Sequence, residues 1–521
     1  MRALGTNLPS GRPGFDRRRG PTWAAGAVLF VGLCLCQTSP GATDDGRPVD
    51  PADVLETALA TAEEAPERGD LLPDLAVAFA RVGRIERALR IADRIERDDR
   101  RIMVIHTIAV EQAAHGDLDG GVKTANSLPR AYVRRLAIVG IAVRQAQAGD
   151  VAGAIRTINA ELDGGDLADA LQLLGQTLEY AGDFDGAVRS YAASPSLACK
   201  VRVLRASAHG RLKKGDLAGA LEDIDKMPPV IRRRNEEIDA YTVGGVRLPG
   251  TFKMSPEGYR NGLLGAAVKF LAEAGETDRA VKTVESITSL HGRVSAAAKA
   301  AQVCAARGEI RAARALIVRA FEWAAEDGYK GFELTEIAAA QTRAKDKRAR
   351  ETFLSALSTV GHVANQAVVV SNQARAGDLD GAVETAGAIP DEAVREDALL
   401  SVVKAAAAAG DVARAKDVAG SLRSEAARVT AYQKVAEAVA ARGDRPGALR
   451  VIAEEVEPYA RKDADRLRAV SRLRAKIGDV RGALAWADSL ASPGATARAL
   501  LGVAEGLLPE VREPVLQLEN P

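Results

Sequence analysis

Residues 376–383 read Ala-Gly-Asp-Leu-Asp-Gly-Ala-Val, and residues 115–122 read His-Gly-Asp-Leu-Asp-Gly-Gly-Val. Aligning the chain on the first glycine of this motif gives Gly83, Gly116, Gly149, Gly182, Gly215, Gly275, Gly308, Gly377, Gly410, Gly443 and Gly478, with Lys345 standing in once. Seven of the eleven steps are 33 residues long, and the others are 32, 35, 37 and 60. A fixed period in the range of about 20–50 residues marks stacked units, so a turn motif seen here is architecture before it is a ligand site.

Each column of the repeat has a physical reading. Glycine at the anchor ends one helix in the left-handed conformation. The next residue is acidic at eleven of twelve positions, Arg84 being the exception. Such a residue caps the orphan N–H groups of the following helix, for about 1 kcal/mol per cap. Five residues past the anchor stands alanine at ten positions, from Ala88 to Ala483, where a small side chain lets two helices approach. Upstream, an apolar residue eight before the anchor (Leu75, Ile108, Ile141) and a small one seven before (Ala76, Ala109, Ala142, Gly175) describe one buried helical stripe. Pro129, Pro228 and Pro390, thirteen past their anchors, mark the exit from the second helix. The unit is therefore helix A, a Gly-Asp turn, helix B and a linker, and it buries its faces only by stacking on its neighbours.

This pattern resembles the tetratricopeptide repeat, and Leu174-Gly175…Leu178…Gly182-Asp183…Ala187 carries the likeness most fully. It departs from the family in its 33-residue period, in the earlier proline and in having Ala, Ile or Val where the family has aromatics. The resemblance implies an all-α fold, a right-handed α-solenoid of about twelve helix-turn-helix repeats over 51–510, with Ala495–Leu508 as a closing helix and 511–521 as a tail. It also implies a concave surface lined by A helices that binds proteins or peptides. The family's clamp for peptide C-termini is not carried over, because its positions hold Val139 and Val143, Leu400 and Lys404, Gln433 and Glu437.

Composition agrees with close-packed helices: 47% of the residues are hydrophobic but only 4% aromatic. Residues 1–42 differ from the rest. Arg17–Arg19 precede an apolar run of 14 residues from Trp23 to Cys36, then a small-residue exit. These are the parts of an export signal, and the run is shorter than the roughly 20 residues a spanning helix needs. The expectation is a periplasmic or secreted protein, with an uncleaved membrane anchor as the alternative, and residues 43–50 as a linker. Removing 1–42 takes five Arg and one Asp, so the net charge moves from +1 to +1 − 4 = −3. That leaves no electrostatic case for nucleic acid. Cys199 and Cys304 alone remain, which is no disulfide framework.

Two features decorate the repeat. Fifteen residues before the anchor runs a column of cations: Arg68, Arg101, Arg134, Lys200, Arg260, Arg293, Arg395 and Arg428. It reads either as a ladder donating to helix-B carbonyls and acids of the preceding repeat, the favoured reading, or as a basic stripe for an acidic partner. The 60-residue step contains an insertion at about 229–256 with Arg232, Arg233, Arg234, Tyr241 and Phe252, in which Ala-Tyr-Thr-Val and Gly-Gly-Val-Arg-Leu suit a small hairpin. These residues, with Arg101, Arg134, Arg260, Arg293, Arg395 and Arg428, are the candidate partner-binding set. The aromatics Phe321, Trp323, Tyr329, Phe332 and Phe353 around Lys345 read as a repacked core.

No catalytic, cofactor or metal pattern stands out. The five histidines are scattered, Ser401-Val-Val-Lys404 lies in the apolar stretch of a regular A helix, and Asp-Leu-Asp-Gly lacks the later ligands of a calcium loop. The sequence therefore points to a non-catalytic scaffold that binds a protein or peptide. The alternative is a self-associating structural component of a cell-envelope assembly.

Overall fold

The computed structural model describes residues 48–226, 242–243, 246–247, 256–326, 328, 330–461 and 463–509. Residues 1–47, which include the expected export signal, most of the insertion with Arg232, Arg233, Arg234, Tyr241 and Phe252, Tyr329 and the tail 511–521 lie outside the described residues. Within the insertion Thr242–Val243 (β1) pairs antiparallel with Val246–Arg247 (β2), Val243 opposite Val246.

The other elements among the described residues are helices. After α1 (Pro51–Glu63) the hairpins are α2 (Arg68–Arg81) with α3 (Ile85–Ala92), α4 (Asp98–Ala114) with α5 (Leu118–Asn126), and α6 (Ala131–Gln147) with α7 (Val151–Glu161). Next come α8 (Gly164–Tyr180) with α9 (Phe184–Ala193), α10 (Leu197–Lys213) with α11 (Leu217–Asp225), and α12 (Pro256–Glu273) with α13 (Thr277–Glu285). They are followed by α14 (Leu290–Ala306) with α15 (Ile310–Glu326), α16 (Gly331–Arg343) with α17 (Ala349–Thr359), and α18 (Val363–Ala376) with α19 (Leu379–Gly387). Then α20 (Glu392–Ala408) pairs with α21 (Val412–Ser421), and α22 (Glu425–Ala441) with α23 (Arg445–Val451). The latter runs through a π-helical stretch, Ile452–Val456, into α24 (Glu457–Ala460). Last are α25 (Ala464–Lys476) with α26 (Val480–Asp488), and α27 (Pro493–Leu507).

The turn chemistry is that of the motif. All eleven anchor glycines have φ between 77° and 103°, and Lys345 takes φ 55° in the glycine's place. Eight aspartates (117, 150, 183, 216, 378, 411, 444 and 479) accept the N–H three residues on, at 2.7–3.2 Å. The residue donating that N–H is glycine in seven cases, where the capping carboxylate lies against the space a Cβ would take, and Arg414 in the eighth. All ten motif alanines five past the anchor are fully buried. At the position of the small residue on helix A, Gly175 leaves room for the Tyr191 ring, which a Cβ would meet at 2.5 Å.

The two ends of the array meet. α27 packs between α25 and α1 and touches α2, and one hydrophobic core joins residues 54–108 to residues 334–504. α27 stands where the A helix of a thirteenth hairpin belongs, and α1 where its B helix belongs. Asp50 caps α1, accepting from Ala52 N at 2.8 Å, two residues on where the motif aspartates bond three residues on. Arg68 reaches back to Glu63 at the end of α1, 3.4 Å away, as Arg260 reaches back to Asp225 at the end of α11. Twelve contiguous hairpins and one split between the chain ends therefore form a closed circuit. Terminal repeats of an open solenoid need polar caps; here each end covers the other.

Candidate functional site

Successive A helices pack directly on each other almost all the way round the circuit, whereas successive B helices make substantial contact only between α7 and α9 and between α17 and α19. The layer with the shorter circumference is the more crowded, so the A helices form the inner wall. The face they leave uncovered on α18, α20 and α22 carries the residues 13, 9 and 6 before the turn, positions that on α6 are the buried Leu136, Gly140 and Val143. On α20 these are Asp397, Ser401 and Lys404; on α22, Thr430, Lys434 and Glu437; on α18, Ala364, Val368 and Ser371.

Ion pairs link neighbouring A helices along this wall. Arg100 holds Asp70 at 2.6 Å, Arg144 holds Glu111 at 2.9 Å, Lys299 holds Glu336 at 3.6 Å and Arg466 holds Glu425 at 2.7 Å. Arg135 pairs with Asp166 and Arg205 with Glu179 in the same way. The Arg144–Glu111 pair is nearly dry, with side chains 11% and 8% exposed, a placement that fixes register more than it adds stability. Tyr191 donates its hydroxyl to Glu179 at 2.9 Å, and burial pushes its phenol up.

The arginine column lies mostly off this wall, in bonds within the chain. Arg101 donates to the Ile95 carbonyl at 3.3 Å, Arg293 to that of Ile287 at 2.5 Å and Arg395 to that of Ile389 at 2.7 Å. Each acceptor stands two or three residues past the end of the preceding B helix, in the linker that leads to the arginine's own helix. Arg428 lies over the Tyr459 ring at 5.1 Å, Arg134 is half-buried at the equivalent place, and Lys200 is exposed.

Around Lys345 the aromatics divide. Phe353 is fully buried and Trp323 nearly so, beneath the Arg319 guanidinium at 4.9 Å from the ring centre. Phe332 departs from the expected core: as the second residue of α16 it falls on the uncovered face and is 45% exposed. Val368, on the neighbouring α18, is 41% exposed as well. The Ser401 hydroxyl donates to the carbonyl of Asp397 in its own helix at 3.1 Å, an ordinary helical bond and no nucleophile's arrangement. Among the described residues no group of three metal-ligating side chains occurs, and no helix is long and apolar enough to cross a membrane.

One further column of the sequence has a structural role. Four residues before the anchor, Gln112, Gln373 and Arg474 clasp the capping aspartate five residues on, at 2.6, 2.9 and 2.9 Å. The wall pairs have no such column. Their partners sit at different offsets in neighbouring repeats, so no column of a single period shows them.

No family model matches the chain, and no curated protein does. Solved structures similar to it include the pentatricopeptide repeat protein PPR10 from maize, 14% identical over 87% of this chain and 72% of that one, at a TM-score of 0.26. The APC/C hetero-tetramer Cut9-Hcn1 is 12% identical over 81% and 93%, at 0.23. A circular tandem repeat protein of novel repeat topology is 14% identical over 88% and 87%, at 0.14. At these TM-scores the chains do not superpose as wholes, and the fold rests on the hairpins themselves. The chain is a TPR-like helical-repeat protein, an α-solenoid whose first and last helices together make a further hairpin.

Proposed function

We propose that this protein is an exported, non-catalytic scaffold whose A-helix wall binds a polypeptide. The observation that supports it is the wall's make-up. Hydroxyl groups and charges of both signs line the uncovered faces of α20 and α22, next to the exposed apolar Val368 on α18 and Phe332 on α16. Such a lining offers hydrogen bonds to a peptide backbone and apolar contact for a side chain, and it carries no field of a single sign for a polyanion. The arginine column is proposed as framework, its guanidinium groups being engaged in the linkers that follow B helices. Export is proposed from Arg17–Arg19 and the apolar run that follows.

A photo-crosslinking residue at position 368 tests the binding reading in the native host. A discrete polypeptide adduct, lost in Phe332→Asp and absent when the probe is moved to Leu354 on α17, is the expected result. Equal adducts from both positions would sink it. Export is tested by fusing residues 1–45 to a reporter that is active only outside the cytoplasm.

Self-association is the second reading. Val318 on α15 and Leu354 on α17, 52% and 48% exposed on neighbouring B helices, favour it. Light scattering of Val318→Asp/Leu354→Asp against the parent decides, since a monomeric parent removes this reading.

A further inference from the structure

We infer that the closed circuit opens at one joint, between α27 and the α1–α2 pair, and that this joint is the side entrance to the inner wall. Every other pair of neighbouring hairpins is tied by a linker, and no peptide bond crosses this one. Its two sides are also built differently. Towards α25, α27 is seated backbone to backbone. A Cβ at Gly502 would lie 2.9 Å from the Arg468 carbonyl carbon, and one at Gly506 would lie 2.6 Å from the Arg472 oxygen. Helices meet that closely only through glycine. Across the joint α27 packs on α1 through the shared apolar core and on α2 more thinly than on α25, and Arg468, already paired with Glu505 of α27, reaches Asp74 of α2 at 2.8 Å. Asp74 is 42% exposed, so solvent and salt weaken this latch.

At the turn edge of this joint, where the other hairpins have their turns, a cleft of about 430 Å³ lies among the described residues between Leu508, Asp50, Arg81, Arg84 and His115. Opening therefore costs the apolar contacts of α1 and α27 and one half-exposed ion pair, while α27 stays with α25 and α1 with α2. A segment buried within a longer partner, with no free end to thread, reaches the wall by this route. That last step rests on the wall being the binding surface; the opening itself does not.

A removable lock tests the opening without any partner. A Cβ at position 494 would stand 3.2 Å from Cγ of Glu67, across the joint, within reach of a disulfide in Glu67→Cys/Gly494→Cys. The native Cys199 and Cys304 are buried. Amide hydrogen exchange of the parent should show α1 exchanging on the order of tenfold faster than α20 and α22. The oxidised variant should bring α1 down to their rate, and dithiothreitol should restore the difference. Asp74→Asn keeps Glu67 and Gly494 and carries the test if the double variant folds poorly. It should speed α1 and leave α20 unchanged, which simple fraying of α1 would not do, since Asp74 belongs to α2. A shared rate for α1 and α20 in the parent, an α1 rate that ignores Asp74→Asn, or faster opening at α11–α12 overturns the inference.

Discussion

Lys345 shows how much one backbone angle matters. It is the non-glycine residue held at positive φ among those described, at 55°, where a side chain costs roughly 1–2 kcal/mol. Lys345→Gly should raise stability by about 1 kcal/mol in urea unfolding, less whatever the freer unfolded chain takes back. Unchanged or lower stability would mean that Lys345 earns its place through contacts. His106 on α4 bears on acid sensitivity. Both its ring nitrogens are shut from solvent, and burial holds its pKa down at about 4, against 6.5 in the unfolded chain. The folded state therefore favours the neutral ring. Its contribution is complete above pH 6.5 and is lost as pH falls towards 4, by up to about 3 kcal/mol. His106→Phe should flatten that limb of the stability-against-pH curve, and an unchanged slope between pH 4 and 6.5 would refute the assignment. Residues of this kind were legible unequally. The odd lysine was visible as a lapse in a column of glycines, whereas the burial of His106 depends on a neighbouring repeat.

At the scale of the element, helix boundaries were legible because glycine and aspartate punctuate them at fixed spacing, and all ten motif alanines proved to be contact points. The helices' inner and outer roles were not, since an exposed face reads the same whether it lines a wall or meets bulk solvent. α27 illustrates the difference between propensity and packing. Gly→Ala inside a helix ordinarily gains up to about 1 kcal/mol. At Gly265 on α12 a Cβ meets nothing within 4 Å, so Gly265→Ala should stabilise by roughly that amount. At Gly502 the same methyl group would press on the backbone of α25, 3.0 Å from Arg468 Cα, and Gly502→Ala should destabilise by about 1–3 kcal/mol. Thermal or urea unfolding of the two variants side by side gives the answer, and shifts of the same sign would discount the close seating of α27.

For the molecule as a whole, the period announced a solenoid but not its closure. A local repeat is written in every unit, whereas closure depends on a small rotation accumulated over all of them. The clue in the sequence was an unpaired helix at each end, α1 with no A partner and α27 with no B partner. Closure has a consequence for chain order. If α27 and α1 are the halves of one hairpin, the covalent break can be moved elsewhere without disturbing the packing. The turn between α4 and α5 spans residues 115–117, so an Ala-Gly-Asp link from Leu507 to Pro51 supplies the missing turn. New ends at Pro256 and Lys226 fall where the parent already carries its insertion. Termini placed in exposed connections are those that permutation tolerates. This permuted chain should be monomeric, as helical as the parent by circular dichroism, and cooperative in urea. Its midpoint should equal the parent's or exceed it, because the link closes the joint covalently. In an open solenoid the same link would tether two remote ends and leave α1 and α27 uncovered. The permuted chain would then unfold in separate phases or aggregate, and either result would refute the closed circuit.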